Sequence, residues 1–295
     1  KEKFAYVIFL SDNGSDDPNL ENDLYVQAIR ILVWQLKHKP ETRTKHDVVV
    51  MVAPGVSESR RERLRKDGAI IYSVELLRAK DNWIKYDVPR WDEVLTKLRI
   101  WEMTQYDRIL MLDGDSMLLK NLDGVFDDPN TKIMQTKGVN HTLLPGQPPL
   151  PETYLLASLS EVWDSSHAFP PREGTGLKNV GMFNAGFFMM APSLEMFNYY
   201  KSFLDIPNSF NPQFPEQNLM NQVHEWSGPM PWREVDYKWN IRYPTEYDFA
   251  NGLVSTHEKW WEQKYIYENQ EVKDWLRAQR WVMQGWYDAM DLMRS

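Results

Sequence analysis

The residues with the clearest chemical potential are Asp113 and Asp115, one glycine apart where the apolar run Arg108-Ile109-Leu110-Met111-Leu112 ends. Two carboxylates two positions apart on an extended segment point to the same side. Gly114 between them lets backbone and ligand approach closely. Hard divalent cations take oxygen ligands, and Mg²⁺ or Mn²⁺ commonly binds through one or two carboxylates plus substrate phosphates. The pair therefore suits a metal that bridges a diphosphate. The competing reading is a strand ending in a polar turn, with both aspartates solvated.

Such a pair needs a scaffold, and the chain supplies a regular one. Strand-like runs at residues 5–10, 47–52, 69–74 and 108–112 alternate with helical spacing of apolar residues at 23–37, 57–66 and 91–104. The third helix follows Pro89 and carries Asp92 and Glu93 in its first turn, which suits the positive end of a helix dipole. This alternation predicts an α/β fold with a largely parallel sheet and helices on both faces. Ligands in such sheets bind beyond the carboxyl ends of the strands, at the switch point of strand order, and Asp113 sits at such an end. Residues 138–180, rich in Pro, Gly and Ser, read as one long loop of the kind that is usually functional. An apolar strand at 182–190 and helices at 193–204 and 216–226 follow. In the tail, 272–293, Trp275, Leu276, Trp281, Met283, Trp286, Met290 and Met293 fall on a helical pattern. Its polar face is mixed rather than basic, so it reads as a packing helix and not a membrane-surface one.

Composition narrows the function further. With 34 Lys+Arg against 42 Asp+Glu, a net charge of −8 and no basic block, nucleic acid is not the expected partner. A phosphate-bearing ligand would be held by a few local cations or a metal. The absence of cysteine removes disulfides, thiolate metal sites and Cys nucleophiles together. No stretch reaches the roughly 18 apolar residues of a membrane span. The chain starts at Lys1 directly before a strand, which reads as trimmed and leaves room for an upstream signal or membrane anchor. The acceptor patterns Asn13-Gly14-Ser15 and Asn140-His141-Thr142 tilt the expected compartment slightly toward the Golgi or secretory lumen over the cytoplasm. Thirteen Trp residues suit core packing or platforms for sugar rings.

Asp-x-Asp after an apolar strand also occurs in haloacid-dehalogenase-type phosphatases. Those want Thr or Val two residues past the second Asp, where this chain has Met117, and usually carry the motif on the first strand rather than the fourth. The context points elsewhere. The segments Leu95-Thr96-Lys97-Leu98-Arg99-Ile100-Trp101, Tyr106-Asp107-Arg108 with Leu110 to Asp115, and Asn121-Leu122-Asp123 closely resemble the retaining glycosyltransferases of family eight, the group of glycogenin and the galactinol synthases. Phe183-Asn184-Ala185-Gly186-Phe187-Phe188, Pro192-Ser193-Leu194 and Pro215-Glu216-Gln217-Asn218-Leu219-Met220-Asn221 continue the resemblance in order, over about residues 4–261.

The resemblance implies a GT-A architecture, a single Rossmann-like domain over 1–265 with a C-terminal helical extension over 266–295 packed on it. It implies a retaining hexosyltransferase that draws on a UDP-sugar (UDP-glucose, UDP-galactose or UDP-GlcNAc). The acceptor is a carbohydrate, polyol, lipid or protein, and a homodimer is open. Phe9 and Ser11 match positions that cradle the uracil, and Tyr25 matches a tyrosine stacked on the base. An acidic insertion at about 13–21 lies between them. Lys97 and Arg90 match basic residues that reach the donor. Asp113, Gly114 and Asp115 match the metal-diphosphate motif, with Ala185 and Gly186 beside it. His257 matches the third metal ligand, a role the resemblance alone supplies. An imidazole beside two carboxylates favours Mn²⁺ over Mg²⁺. The family's Gly-containing turn before Lys is missing from His257-Glu258-Lys259-Trp260-Trp261, yet Lys259 matches the lysine on the leaving diphosphate. Asn184 would hold sugar hydroxyls. Retention leaves two routes: Glu216 as nucleophile, or front-face attack with Gln217 stabilising an oxocarbenium-like state. A non-catalytic sugar-nucleotide or carbohydrate-binding domain is the reading from another class, and the complete ligand set speaks against it.

Overall fold

The computed structural model describes residues 2–12, 14, 17–86, 89–177, 179–262 and 269–294, with backbone alone at 89–92 and 294. Four parallel strands, β1 (Phe4–Leu10), β2 (Asp47–Val52), β3 (Ile70–Ser73) and β4 (Arg108–Leu112), lie side by side in the order β3-β2-β1-β4. Alternation along β1 divides the core. Ala5 and Val7 join one apolar cluster, and Tyr6, Ile8 and Leu10 join the other. Helices α1 (Leu24–Lys37) and α2 (Glu58–Lys66) cover the second face. Asp23 caps α1 by accepting the Val26 N–H at 3.1 Å.

Beyond β4 the chain forms the short β5 (Ser116–Leu118), and then a separate two-stranded pair, β6 (Met134–Gln135) with β7 (Thr153–Tyr154). The main sheet is extended past β4 by β9 (Phe187–Met190), β8 (Leu156–Ser158) and β10 (Arg233–Glu234). β9 is antiparallel to both β4 and β8, so the seven-stranded sheet is parallel in one half and mixed in the other. Helices α3 (Leu194–Leu204) and α4 (Pro215–Val223) pack on the first face. The remaining elements are α5 (Glu246–Ala250), β11 (Ser255–His257) and α6 (Gln270–Arg294). This is the GT-A arrangement. Among the described residues no helix is long and apolar enough to cross a membrane.

Several sequence expectations need correction. Residues 138–180 are not one loop, because β7 and the buried β8 lie inside them. Strands of two and three residues are too short to show a period. The apolar segment 182–190 pairs in the sheet only from Phe187. Before it, the Asn221 side chain takes the Phe183 N–H and donates to the Phe183 carbonyl, each at 2.9 Å, so that backbone is satisfied without a ladder. α4 ends at Val223 rather than 226, where the His224 ring turns back onto the Met230 carbonyl at 2.7 Å.

The helix expected at 91–104 is wound as a 3-10 helix, Pro89–Glu102. Side chains three apart then eclipse. Leu95, Leu98 and Trp101 form one row into the core, and Val94 and Lys97 form the next, along the ligand pocket.

The tail helix α6 buries Val272, Leu276, Met283 and Tyr287 against Ile31 and Trp34 of α1 and against Met117 and Trp260. Trp281 and Met293, which the pattern placed on the packing face, are 66% and 81% exposed. The expected domain boundary at 265–266 lies outside the described residues.

Candidate functional site

Parallel order reverses between β2-β1 and β1-β4, and a pocket of about 350 Å³ opens at the carboxyl ends of β1 and β4. Phe9, Leu10 and Ser11 from the end of β1 form one wall, and Tyr25 and Ile29 of α1 stand beside them. The Tyr25 ring meets Trp261 edge-on at 5.2 Å. Asp113, Gly114 and Asp115 leave β4 in a tight turn, in which Ser116 N–H donates to Asp113 O at 3.0 Å. A Cβ on Gly114 would lie 2.5 Å from Ile29 Cγ1, so the close approach of this turn to α1 requires glycine.

His257 arrives from far along the chain through a small antiparallel pair. β11 runs against β5 with His257 opposite Ser116, and Gln35 of α1 pins β5 by accepting the Leu118 N–H at 2.8 Å. The ring then has little freedom, since a Cβ on Gly186 would sit 2.2 Å from His257 Cε1. His257 Nε2 lies 2.9 Å from Asp115 Oδ1 and 3.6 Å from Asp113 Oδ2. Asp113, Asp115 and His257 each offer one ligand atom, all within 4.8 Å of one another. Burial disfavours imidazolium, but the Asp115 and Asp113 carboxylates outweigh it and raise the His257 pKa. Burial likewise opposes ionisation of Asp115, and His257 with Lys259 overcomes it, bringing that carboxyl to about 2. Two carboxylate oxygens and one imidazole nitrogen, converging on one point, are a donor set for a divalent cation.

Cations ring this acidic centre. Lys97 Nζ bonds Asp113 Oδ1 at 2.7 Å and Glu216 Oε1 at 3.3 Å. Burial works against its charge, yet the two carboxylates hold its pKa above the usual lysine range. Glu216 is buried in the first turn of α4, where Pro215 at N1 starts the helix. Burial raises its pKa against the pull of Lys97. Gln217 accepts the Ala185 N–H at 3.0 Å, and Asn184 Oδ1 accepts the Gly186 N–H at 2.9 Å, which fixes both amides at the pocket. Lys259 lines the same pocket, with Nζ 3.8 Å from Glu262 Oε1.

The structure thus brings together Phe9, Ser11, Tyr25, Lys97, Asp113, Gly114, Asp115, Asn184, Ala185, Gly186, Glu216, Gln217, His257 and Lys259 around one cavity. The Arg90 side chain lies outside the described residues. Sequence reasoning missed Arg242, which lines the pocket, pairs with Glu161 and lies 4.9 Å from the Tyr243 ring centroid. A lone arginine between Ile241 and Tyr243 has no spacing to mark it. Glu161 was missed as well, inside the supposed loop.

No family model matches the chain. Among curated proteins, an uncharacterised protein of Schizosaccharomyces pombe is 31% identical over 288 residues, covering 89% of this chain and 73% of that one. Galactinol synthase 3 of Arabidopsis thaliana is 28% identical over 228 residues, covering 75% and 60%. The chain belongs to glycosyltransferase family eight. Among solved structures, an active-site mutant of LgtC superposes with a TM-score of 0.51 at 13% identity, over 93% of this chain and 95% of that one. That likeness concerns the GT-A fold alone. As a family-eight protein the chain has a glycosyl-transfer function.

Proposed function

We propose that this family-eight protein moves a hexosyl group from a UDP-sugar to an acceptor hydroxyl with retention of configuration, and that Mn²⁺ assists. The observation that carries the reading is the convergence of Asp113, Asp115 and His257 within 4.8 Å in the lining of the pocket. When bound by these three residues, the cation supplies positive charge against a diphosphate. Phe9 and Tyr25, which line the same pocket, supply apolar faces for the uracil.

The chain's own residues do the rest. Lys259 and Arg242 line the pocket and place fixed positive charge where the departing diphosphate gains negative charge. Asn184, tied to the Gly186 amide, positions the sugar hydroxyls. Glu216 is engaged by Lys97 and buried in the wall, a placement that suits a residue holding Lys97 against Asp113 better than a nucleophile. Front-face attack follows. The acceptor oxygen bonds to the anomeric carbon on the face the diphosphate leaves, the carbon–phosphate oxygen bond breaks, and the acceptor proton passes to a departing phosphate oxygen. Gln217, held by the Ala185 amide, stabilises the cationic sugar between them.

The test is release of UDP from a panel of UDP-hexoses with Mn²⁺ or with chelator. Metal-dependent release from at least one donor is expected. Binding of every donor without turnover, with any acceptor supplied, would support the non-catalytic reading instead.

A further inference from the structure

A second cavity adjoins the donor pocket and is larger than it. At about 810 Å³ against about 350 Å³ for the donor side, it has more room than the pocket assigned to an entire nucleotide sugar. The two are connected through specific residues. Gln217 of α4 lines both. Glu161, at the inner end of the groove, accepts from Asn184 Nδ2 at 3.4 Å and from Arg242, which belong to the donor pocket.

The lining has a distinct chemistry. Side-chain amides dominate it, with Asn179, Asn211, Gln213, Asn218 and Gln222 joining Gln217. Amides donate and accept without charge and match the donor-acceptor character of sugar hydroxyls. Among the described residues of the lining there is no Lys, Arg or His, while Glu161 and Glu225 contribute carboxylates. Phosphate, uronate or sialate groups would meet repulsion without a counter-ion. Trp163 and Phe214 project into the same groove, 45% and 43% exposed. Half-exposed aromatic faces beside polar groups are platforms for pyranose rings. A lipid tail would find too much polar wall.

Resting on the donor reading above, we propose that this groove takes a neutral oligosaccharide chain of more than one ring as the acceptor. The terminal hydroxyl lies at the Glu161 end, and the preceding rings run over Trp163 and Phe214.

The test uses the full chain, with UDP and Mn²⁺ and without them. Calorimetry compares neutral hexose oligosaccharides of increasing length, myo-inositol and a uronate-containing oligosaccharide. Affinity for the neutral series is expected to rise with length. It should fall at least tenfold in Trp163→Ala or Phe214→Ala and also in Asn218→Asp, a near-isosteric variant that keeps the fold while adding charge. UDP–Mn²⁺ affinity should be unchanged in all three. Tighter binding of inositol or of the acidic chain would overturn the proposal, as would oligosaccharide binding indifferent to all three variants or absent throughout. Neutral-chain binding in a protein that fails to bind UDP would support the groove and overturn the donor reading, so the two failures are separable.

Discussion

Gly186→Ala places a single methyl group against the candidate metal ligand His257. The added Cβ would lie 2.2 Å from Cε1, 2.6 Å from Nδ1 and 2.8 Å from Asn184 Oδ1, where ordinary contact begins at 3.4 Å. Restoring ordinary contact takes a shift of about 3.4 − 2.2 = 1.2 Å, and the imidazole is the side chain in its way. Metal–ligand distances tolerate only about 0.2 Å, so the imidazole is lost from the cation. Disturbing even the groups that orient a ligand costs about 10–100-fold in metal affinity, so a loss of at least about tenfold, or about 1.4 kcal/mol, is expected. Overpacking should also cost the fold about 1–3 kcal/mol. Mn²⁺ paramagnetic-resonance titration in the presence of UDP reads the first effect, and urea denaturation reads the second. The double variant Gly186→Ala with His257→Ala removes the nearest clashing atoms. It should regain stability relative to the sum of the two single variants, while metal binding stays lost. Wild-type Mn²⁺ affinity in Gly186→Ala, or strictly additive stability losses, would refute the reasoning.

Three further outcomes follow from the geometry. Glu216→Gln should retain measurable transfer and show no azide-restored product of inverted configuration, whereas Gln217→Ala should slow transfer about tenfold, equivalent to about 1.4 kcal/mol in the transition state; product stereochemistry and rates decide between the routes. Burial lowers the His224 pKa from 6.5 to about 4, with Nδ1 tied to the Met230 carbonyl. The unfolded chain binds a proton below 6.5 that the native state resists, so stability is full above that pH and falls by up to about 3 kcal/mol as pH drops toward 4. Urea midpoints across this window should flatten in His224→Gln. Leu276→Ala, which empties a site 1% exposed between α6 and α1, should cost about 2–5 kcal/mol by denaturation while leaving UDP affinity unchanged.

The scaffold was legible where local pattern and tertiary demand coincide. β2 and β4 begin and end where the apolar runs do, because both are buried central strands. Asp113 and Asp115 were visible from spacing alone, since a strand end sets their direction. His257 was not, for its position depends on β11 lying in register with β5, a pairing made by the fold and carrying no local signal. β8 was invisible for a related reason, being three residues supported by β9 and β10 rather than by its own period. The 3-10 winding of Pro89–Glu102 also escaped notice, because apolar residues three apart fit either helix. Arg242 and Glu161 form an ion pair between two irregular segments, and nothing in the composition around either residue announces the other.

Calorimetric titration of UDP into the unmodified protein, with Mn²⁺ and again with chelator, bears most directly on the assignment of Asp113, Asp115 and His257. Saturable binding is expected with Mn²⁺, at least about tenfold weaker in chelator. It should be lost in Asp113→Asn and in Asp115→Asn while both variants still unfold in one cooperative transition, which separates loss of the ligand from loss of the fold. Equal UDP affinity with Mn²⁺ and with chelator would contradict a metal-bridged diphosphate at this site.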